Sequence, residues 1–294
     1  MHLASRESVI YDIGANNGDD LPYYLRKAKK VVAVEANPAL AGLISSRFSA
    51  EVANGSLIVE NVAVTESPNE SKVDFYIHRG NHVWSTTIKP SPGELAHFDY
   101  VSVPTTTIQA LFEAHGEPLY VKLDIEGLDA QVLRSLLTLS TRPPYVSAEG
   151  HDPRIFGLLS GMGGYTRFKL VEGSKVGRNH RNFSFEDTEG KVTTYSFPSH
   201  SAGPFGEDIP GPWLNSIDMF SILRVRGLGW YDIHASMGEE PGSNPLKIPL
   251  NSSARAILEC SHPELLARYR LYRKRIRRVA RDIAKPFIKW MHKR

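Results

Sequence analysis

The chain has 294 residues, 41% hydrophobic and 23% charged, enough to bury the core of one α/β domain of about 240 residues and carry an appendage. No apolar run approaches the ~18 residues a membrane span requires, and the opening segment MHLASRESV leaves no space for a signal peptide's apolar stretch. One cysteine, Cys260, rules out an internal disulfide and argues against a structural zinc site, so the expected setting is reducing and cytoplasmic.

The first element is VIYDIGANNG at 9–18, an apolar run through Asp12 that breaks at a turn bracketed by Gly14 and Gly18. Val9, Ile10, Tyr11 and Ile13 favour a buried parallel strand, and the glycines let the backbone turn sharply and approach a ligand. GANNG lacks the GxGxxG spacing of a dinucleotide site. A carboxylate beside the turn suits a cationic ligand better than a pyrophosphate, and S-adenosylmethionine carries both a sulfonium and an ammonium. The stretch VVAVEANP at 31–38 is a second buried strand, ending on Glu35, an acid placed to accept ribose hydroxyls. SLIVENVAV at 56–64 reads as a third strand, with Asn61 directed to an adenine edge.

The next strong element is LYVKLDIEGLDAQVL at 119–133, a strand that stops at Asp124 and passes through Glu126 and Gly127 into an amphipathic helix. Ligands of open α/β sheets lie beyond the carboxyl ends of the strands, which places Asp12, Glu35 and Asp124 around one crevice. RPPYVSAEG at 142–150 predicts a fifth strand ending on Glu149, PRIFGLLSGMGG a short helix stopped by glycines, and YTRFKLVEG at 165–173 a sixth strand. A helix over 215–226 and a last strand, GWYDIHAS at 229–236, complete the pattern.

In combination and order, VIYDIGANNGDD, VVAVEANP, VENVAV, PTTTIQAL at 104–111 and VKLDIEG resemble the FkbM family of S-adenosylmethionine-dependent methyltransferases over roughly residues 8–150. HVWSTTI at 82–88 resembles the serine-rich stretch which that family carries between its third and fourth main strands. The resemblance implies a class I, Rossmann-like methyltransferase fold: a mostly parallel seven-stranded sheet with helices on both faces. It implies O-methylation of a sugar or natural-product hydroxyl. The expected cofactor residues are Asp12, Gly14, Ala15, Asn16, Asn17, Gly18, Glu35, Ala36, Asn61, Val62 and Asp124. Asn17 and Asp19–Asp20 depart from the apolar or aromatic neighbours usual at this turn.

A neutral hydroxyl must lose its proton during methyl transfer, so a carboxylate or histidine within reach of it is needed. Asp124 and Glu126 are the first candidates for positioning or base work and His151, next to Glu149, the second; His180 and His234 join them if the segment after 173 folds over the site. No metal requirement is expected, since His78 and His82 flank Gly80 in a turn and do not form a helical ligand pair. No P-loop or nucleophile elbow is present.

Residues 174–214 are far longer than an ordinary connection, and HSAGPFGEDIPGPW at 200–213 reads as a lid or acceptor loop. Trp213, Trp230 and Tyr231 are candidate sugar-stacking platforms. The expected organisation is a methyltransferase domain over 1–240, a linker over 241–262 and a basic amphipathic helix over 263–294.

That last segment holds twelve Lys/Arg against two Asp/Glu, which leaves the rest of the chain net acidic. Leu265, Tyr269, Tyr272, Ile276, Val279 and Ile283 fall on one helical face. Three partners suit it: an anionic membrane surface at the inner face, favoured here; a protein partner or a second copy; and, least favoured, nucleic acid. The favoured activity is O-methylation of a cell-surface or lipid-linked saccharide. The alternatives are a small natural product as acceptor, or a non-catalytic scaffold that keeps the fold.

Overall fold

The computed structural model describes residues 9–66 and 71–242. Apart from Pro241 and Gly242, the expected linker and basic helix lie outside the described residues. The chain divides into two units, Met1–Met219 with Leu228–Asn244, and Phe220–Gly227 with Pro245–Arg294. The site belongs wholly to the first.

In chain order the elements are β1 (Val9–Ile13), α1 (Leu21–Lys27), β2 (Lys30–Val34), α2 (Pro38–Arg47), α3 (Ser49–Ala53), β3 (Leu57–Glu60) and β4 (Ala63–Val64). Then follow β5 (Lys72–His78), β6 (Phe98–Thr106), α4 (Ile108–His115), β7 (Pro118–Leu123), α5 (Asp129–Thr138) and β8 (Tyr145–Glu149). Last come α6 (Arg154–Gly157), β9 (Arg167–Glu172), α7 (Val176–Asn179), β10 (Phe183–Glu186), β11 (Val192–Tyr195), α8 (Ser216–Arg226) and β12 (Tyr231–Ser236).

The main sheet has seven strands in the order β3-β2-β1-β7-β8-β12-β9. The first five run parallel, and β12 is antiparallel to both β8 and β9. This is the expected α/β architecture. All five side chains of β1 are buried, as the apolar run requires of a central strand covered on both faces. Strand order reverses at β1, so the crevice opens beyond the ends of β1, β2 and β7. The helix after β2 starts sharply: the Asn37 side chain accepts from the Ala39 N–H at 3.0 Å, and Pro38 supplies a preset φ at the first helical position.

Two expectations change. The third strand ends at Glu60, and residues 63–64 leave the main sheet as β4 to pair with β6. There they join the antiparallel pair β5–β6 in a separate three-stranded sheet. Strands β5 and β6 are half exposed and carry Asp74, Asp99 and Pro104, so they lack the continuous apolar run that marks the main sheet.

The second change concerns 174–214. Strands β10 and β11 form a hairpin, and Phe185, Phe197, Phe205 and Ile209 bury themselves in one cluster with Tyr23 and Tyr24 of α1. Tyr23 is the hub, with Phe185, Phe197 and Phe205 all edge-on to its ring at 4.9–5.8 Å. Its hydroxyl donates to Asp208 at 2.7 Å, and the Ala202 N–H donates to both carboxylate oxygens of Asp20. Most of this segment is therefore core, because its aromatic residues need a buried partner surface; of the expected lid, only His200, together with Ser199 before it, reaches the cavity described below.

Candidate active site

A cavity of about 650 Å³ opens at the carboxyl ends of β1, β2 and β7. Its floor is the turn after β1. Gly14 and Ala15 donate their N–H groups to the Val34 carbonyl, and Gly14 sits at φ +87°, where an added Cβ would stand 1.8 Å from the Asp124 carbonyl oxygen. Only glycine fits there, because two strand ends meet at that point. Asn16 also takes a left-handed conformation, φ +52°, and its N–H donates to Glu35 at 2.7 Å. The other Glu35 oxygen accepts from the Asn37 N–H at 2.7 Å. Burial pushes the Glu35 carboxyl up to about 7.

Beneath the turn lies a charge pair absent from the expectations. Lys122 is the cross-strand neighbour of Asp12 on β7, and both are buried. Its ammonium lies 3.2 Å from Asp12, 3.3 Å from Asp124 and 3.4 Å from the Gly14 carbonyl. Burial opposes the lysine's charge, but Asp12 and Asp124 outweigh it and hold the group protonated. Asp12 is thus turned toward Lys122 and does not line the cavity. The available signal was a lysine inside an otherwise apolar central strand, which must find a carboxylate.

Of the expected cofactor residues, Gly14, Ala15, Asn16, Asn17, Glu35, Ala36, Val62 and Asp124 line the cavity. Asp12, Gly18 and Asn61 do not. Gly18, at φ +77°, packs against Leu21, Ile44 and Phe48. The Asn61 amide donates to the carbonyls of Glu35 and Ala36, so it braces the end of β2 rather than meeting an adenine edge.

The other end of the cavity is acidic. Asp124, Glu126 and Glu149 each offer an oxygen within 4.8 Å of the other two, a set that could hold a metal ion. The loop carrying Glu126 is pinned on two sides: Thr86 donates to the Glu126 carbonyl at 2.9 Å, and the Ile125 N–H donates to Asp129 at 3.1 Å. Glu126 itself sits at φ +40°. Burial, then repulsion from Asp124, raises Glu126 to about 7 and Glu149 to about 9. His151 places Nδ1 3.0 Å from Glu149. Asp124, Glu126 and His151 all line the cavity.

The remaining histidine candidates fall elsewhere. His180 packs edge-on to Phe183 and Phe197, and His234 is buried on β12, where burial lowers it to about 3. His78 accepts at Nδ1 from the Gly80 and Asn81 N–H groups and so shapes its own turn. Trp213 is stacked on Tyr145 beneath Arg167 and Lys169, and Tyr231 is core; neither lines the cavity. Trp230 does, and so does Trp84, which the sequence reading had not singled out.

The residues present fit S-adenosylmethionine. The volume lies within the ~300–1,000 Å³ of small-molecule sites. The Asn16 side-chain oxygen is buried in this turn without a hydrogen-bond partner, an acceptor suited to an ammonium. Glu35 stands at the end of the neighbouring strand, in reach of ribose hydroxyls.

No curated protein matches the chain. Among solved structures, a methyltransferase FkbM from Methylobacillus flagellatus KT aligns at a TM-score of 0.39 with 12% identity, over 57% of this chain and 40% of that one. The chain thus spans two fifths of that relative's length. A precorrin-6y C5,15-methyltransferase from Geobacter metallireducens GS-15 aligns at 0.33 with 10% identity, over 80% and 82% of the two chains. An rRNA methylase from Streptococcus thermophilus aligns at 0.36 with 10% identity, over 81% and 90%. The sequence model of the methyltransferase FkbM domain matches residues 12–196, well over half of the chain. This protein therefore belongs to the FkbM family of methyltransferases, for which S-adenosylmethionine is the methyl donor.

Proposed function

We propose that this methyltransferase transfers its methyl group to a hydroxyl oxygen of a saccharide, with His151 and Glu149 taking the hydroxyl proton. The observation that carries the reading is the His151–Glu149 pair, 3.0 Å apart, in the same cavity as the glycine turn. When bound, S-adenosylmethionine supplies an electrophilic methyl on a sulfonium that departs as a neutral thioether. Gly14, Asn16 and Glu35 hold the donor; Asp124 and Glu126 orient the acceptor hydroxyl. As the donor would give up its methyl to the acceptor oxygen and leave as the thioether, the hydroxyl proton would pass to His151, whose Nδ1 lies 3.0 Å from Glu149. Burial and the neighbouring carboxylates raise Glu149, so at neutral pH it serves to orient the His151 ring, and the imidazole takes the proton.

The test is transfer of labelled methyl to glycan acceptors by wild type and His151→Ala. A loss of about 10²-fold or more in kcat, with S-adenosylhomocysteine affinity unchanged, is expected. An unchanged kcat would remove His151 from the chemistry.

The basic segment 263–294 supports a second element of the reading, attachment to an anionic membrane where lipid-linked glycans are assembled; among the described residues no helix is long and apolar enough to cross a membrane. Sedimentation with anionic liposomes, with and without residues 263–294, tests it. Equal pelleting of the two proteins overturns it.

A further inference from the structure

We propose that Trp84 and Trp230 form the acceptor subsites of this cavity, and that the acceptor they hold is an uncharged oligosaccharide. This rests on the saccharide reading above and narrows it.

Both indoles line the cavity that holds Glu126, Glu149 and His151, and both stand partly in solvent, Trp84 at 59% and Trp230 at 42% exposure. Each is held by its surroundings. Trp84 closes the short 3-10 turn His82–Trp84, capped by Asn81, with the His78 ring packed against it at 5.1 Å and 78°. His78 is itself fixed by the two N–H groups donated to its Nδ1. Trp230 lies directly on Gly173, where an added Cβ would stand 2.4 Å from the indole nitrogen. His200 stacks on it at 5.0 Å and 23°, from a backbone at φ +75° that a bulky residue adopts only under constraint.

Held aromatic surfaces at the open mouth of a polar cavity have a definite preference; Trp84 offers the larger open surface, whereas Trp230, covered by Gly173 and His200, offers only its solvent-exposed part. The negative π-face of an indole attracts the C–H face of a sugar ring, while the ring's hydroxyls need partners around its edge. Asn81, Thr87 and Ser199 line the same cavity as the carboxylates and can serve that edge. A flat apolar acceptor would stack as well but would make no use of these groups. An acidic sugar or a phosphate would meet a cavity lined by carboxyl groups whose one ammonium, Lys122, is already paired with Asp12 and Asp124. Because both indoles reach solvent, a chain longer than one sugar can continue out of the cavity.

The experiment uses the full chain loaded with S-adenosylhomocysteine, a printed array of neutral and acidic oligosaccharides, and then titration of the best neutral glycan from that array. Trp84→Ala and Trp230→Ala should each weaken that glycan at least tenfold, and Trp84→Phe should retain most of the affinity. S-adenosylhomocysteine binding, unchanged in all three, checks that they are folded. Retention of acidic glycans alone would overturn the proposal, as would a neutral glycan bound equally by wild type and the double alanine variant, or an array on which no glycan is retained. Methyl transfer to the same glycan separates this proposal from the reading beneath it. Tryptophan-dependent binding without transfer sinks that reading and leaves the subsites standing; transfer that survives both substitutions does the reverse.

Discussion

The two ends of the cavity are built on opposite electrostatic plans. At the cofactor end, backbone geometry sets the shape and each carboxylate has a partner, Asp12 meeting Lys122 and each Glu35 oxygen accepting a backbone N–H, although burial still raises Glu35. At the acceptor end, Asp124, Glu126 and Glu149 crowd together, and repulsion adds to burial in raising the last two. The first end is assembled for stability as well as binding. The second crowds carboxyl groups together, at some cost to the fold.

The contrast can be broken most forcefully at Lys122. Lys122→Met leaves the Asp12 carboxylate buried without its cation and should cost about 3–5 kcal/mol in a denaturant titration. A loss below about 1 kcal/mol would mean that Asp12 is not held as an ion. Next in size, Gly14→Ala forces a left-handed alanine into the Asp124 carbonyl and should weaken S-adenosylhomocysteine by about 2 kcal/mol, roughly 30-fold, by calorimetry. Wild-type affinity would show that the strand ends can part.

A smaller effect follows from Glu35. Its carboxyl is raised to about 7, and ribose hydroxyls favour the ionised form, so binding must expel a proton below that pH. Affinity should therefore rise with pH, about tenfold per unit well below 7, and level off above it. A flat profile would place the ribose elsewhere. Smallest is Glu149→Gln. An acid raised in the folded state loses stability as pH climbs from the unfolded value near 4.5 through about 9, so removing it should stabilise the protein by about 1 kcal/mol at pH 7–8. Thermal unfolding against pH reads this, and destabilisation across that window would erase the contrast between the two ends.

The same contrast explains what could be read from the chain. The cofactor end rests on local signals, glycines in a strand-to-helix turn and an acid at the end of an apolar run, so Gly14, Asn16 and Glu35 stood out together. Asp12 did too, but its partner became visible only in the register that sets Asp12 beside Lys122. The acceptor end is gathered from the turn after β5, the end of β8, the segment after β11 and the residue before β12. No window of sequence contains that juxtaposition. Trp84 carries no local mark, because it stands in a short 3-10 turn among mixed polar and apolar residues, and Trp213 suggested a platform because a tryptophan beside glycines and prolines looks the same whether it is wall or core.

The anchoring of 174–214 has one more consequence. Phe185, Phe197 and Phe205 lock this segment onto α1, the helix that follows the glycine turn, while Ser199 and His200 alone reach the cavity. Two adjacent residues on a well-seated cassette can be exchanged, lengthened or shortened without disturbing Gly14 or Glu35. The protein thus carries a two-residue tip on a firmly seated mount.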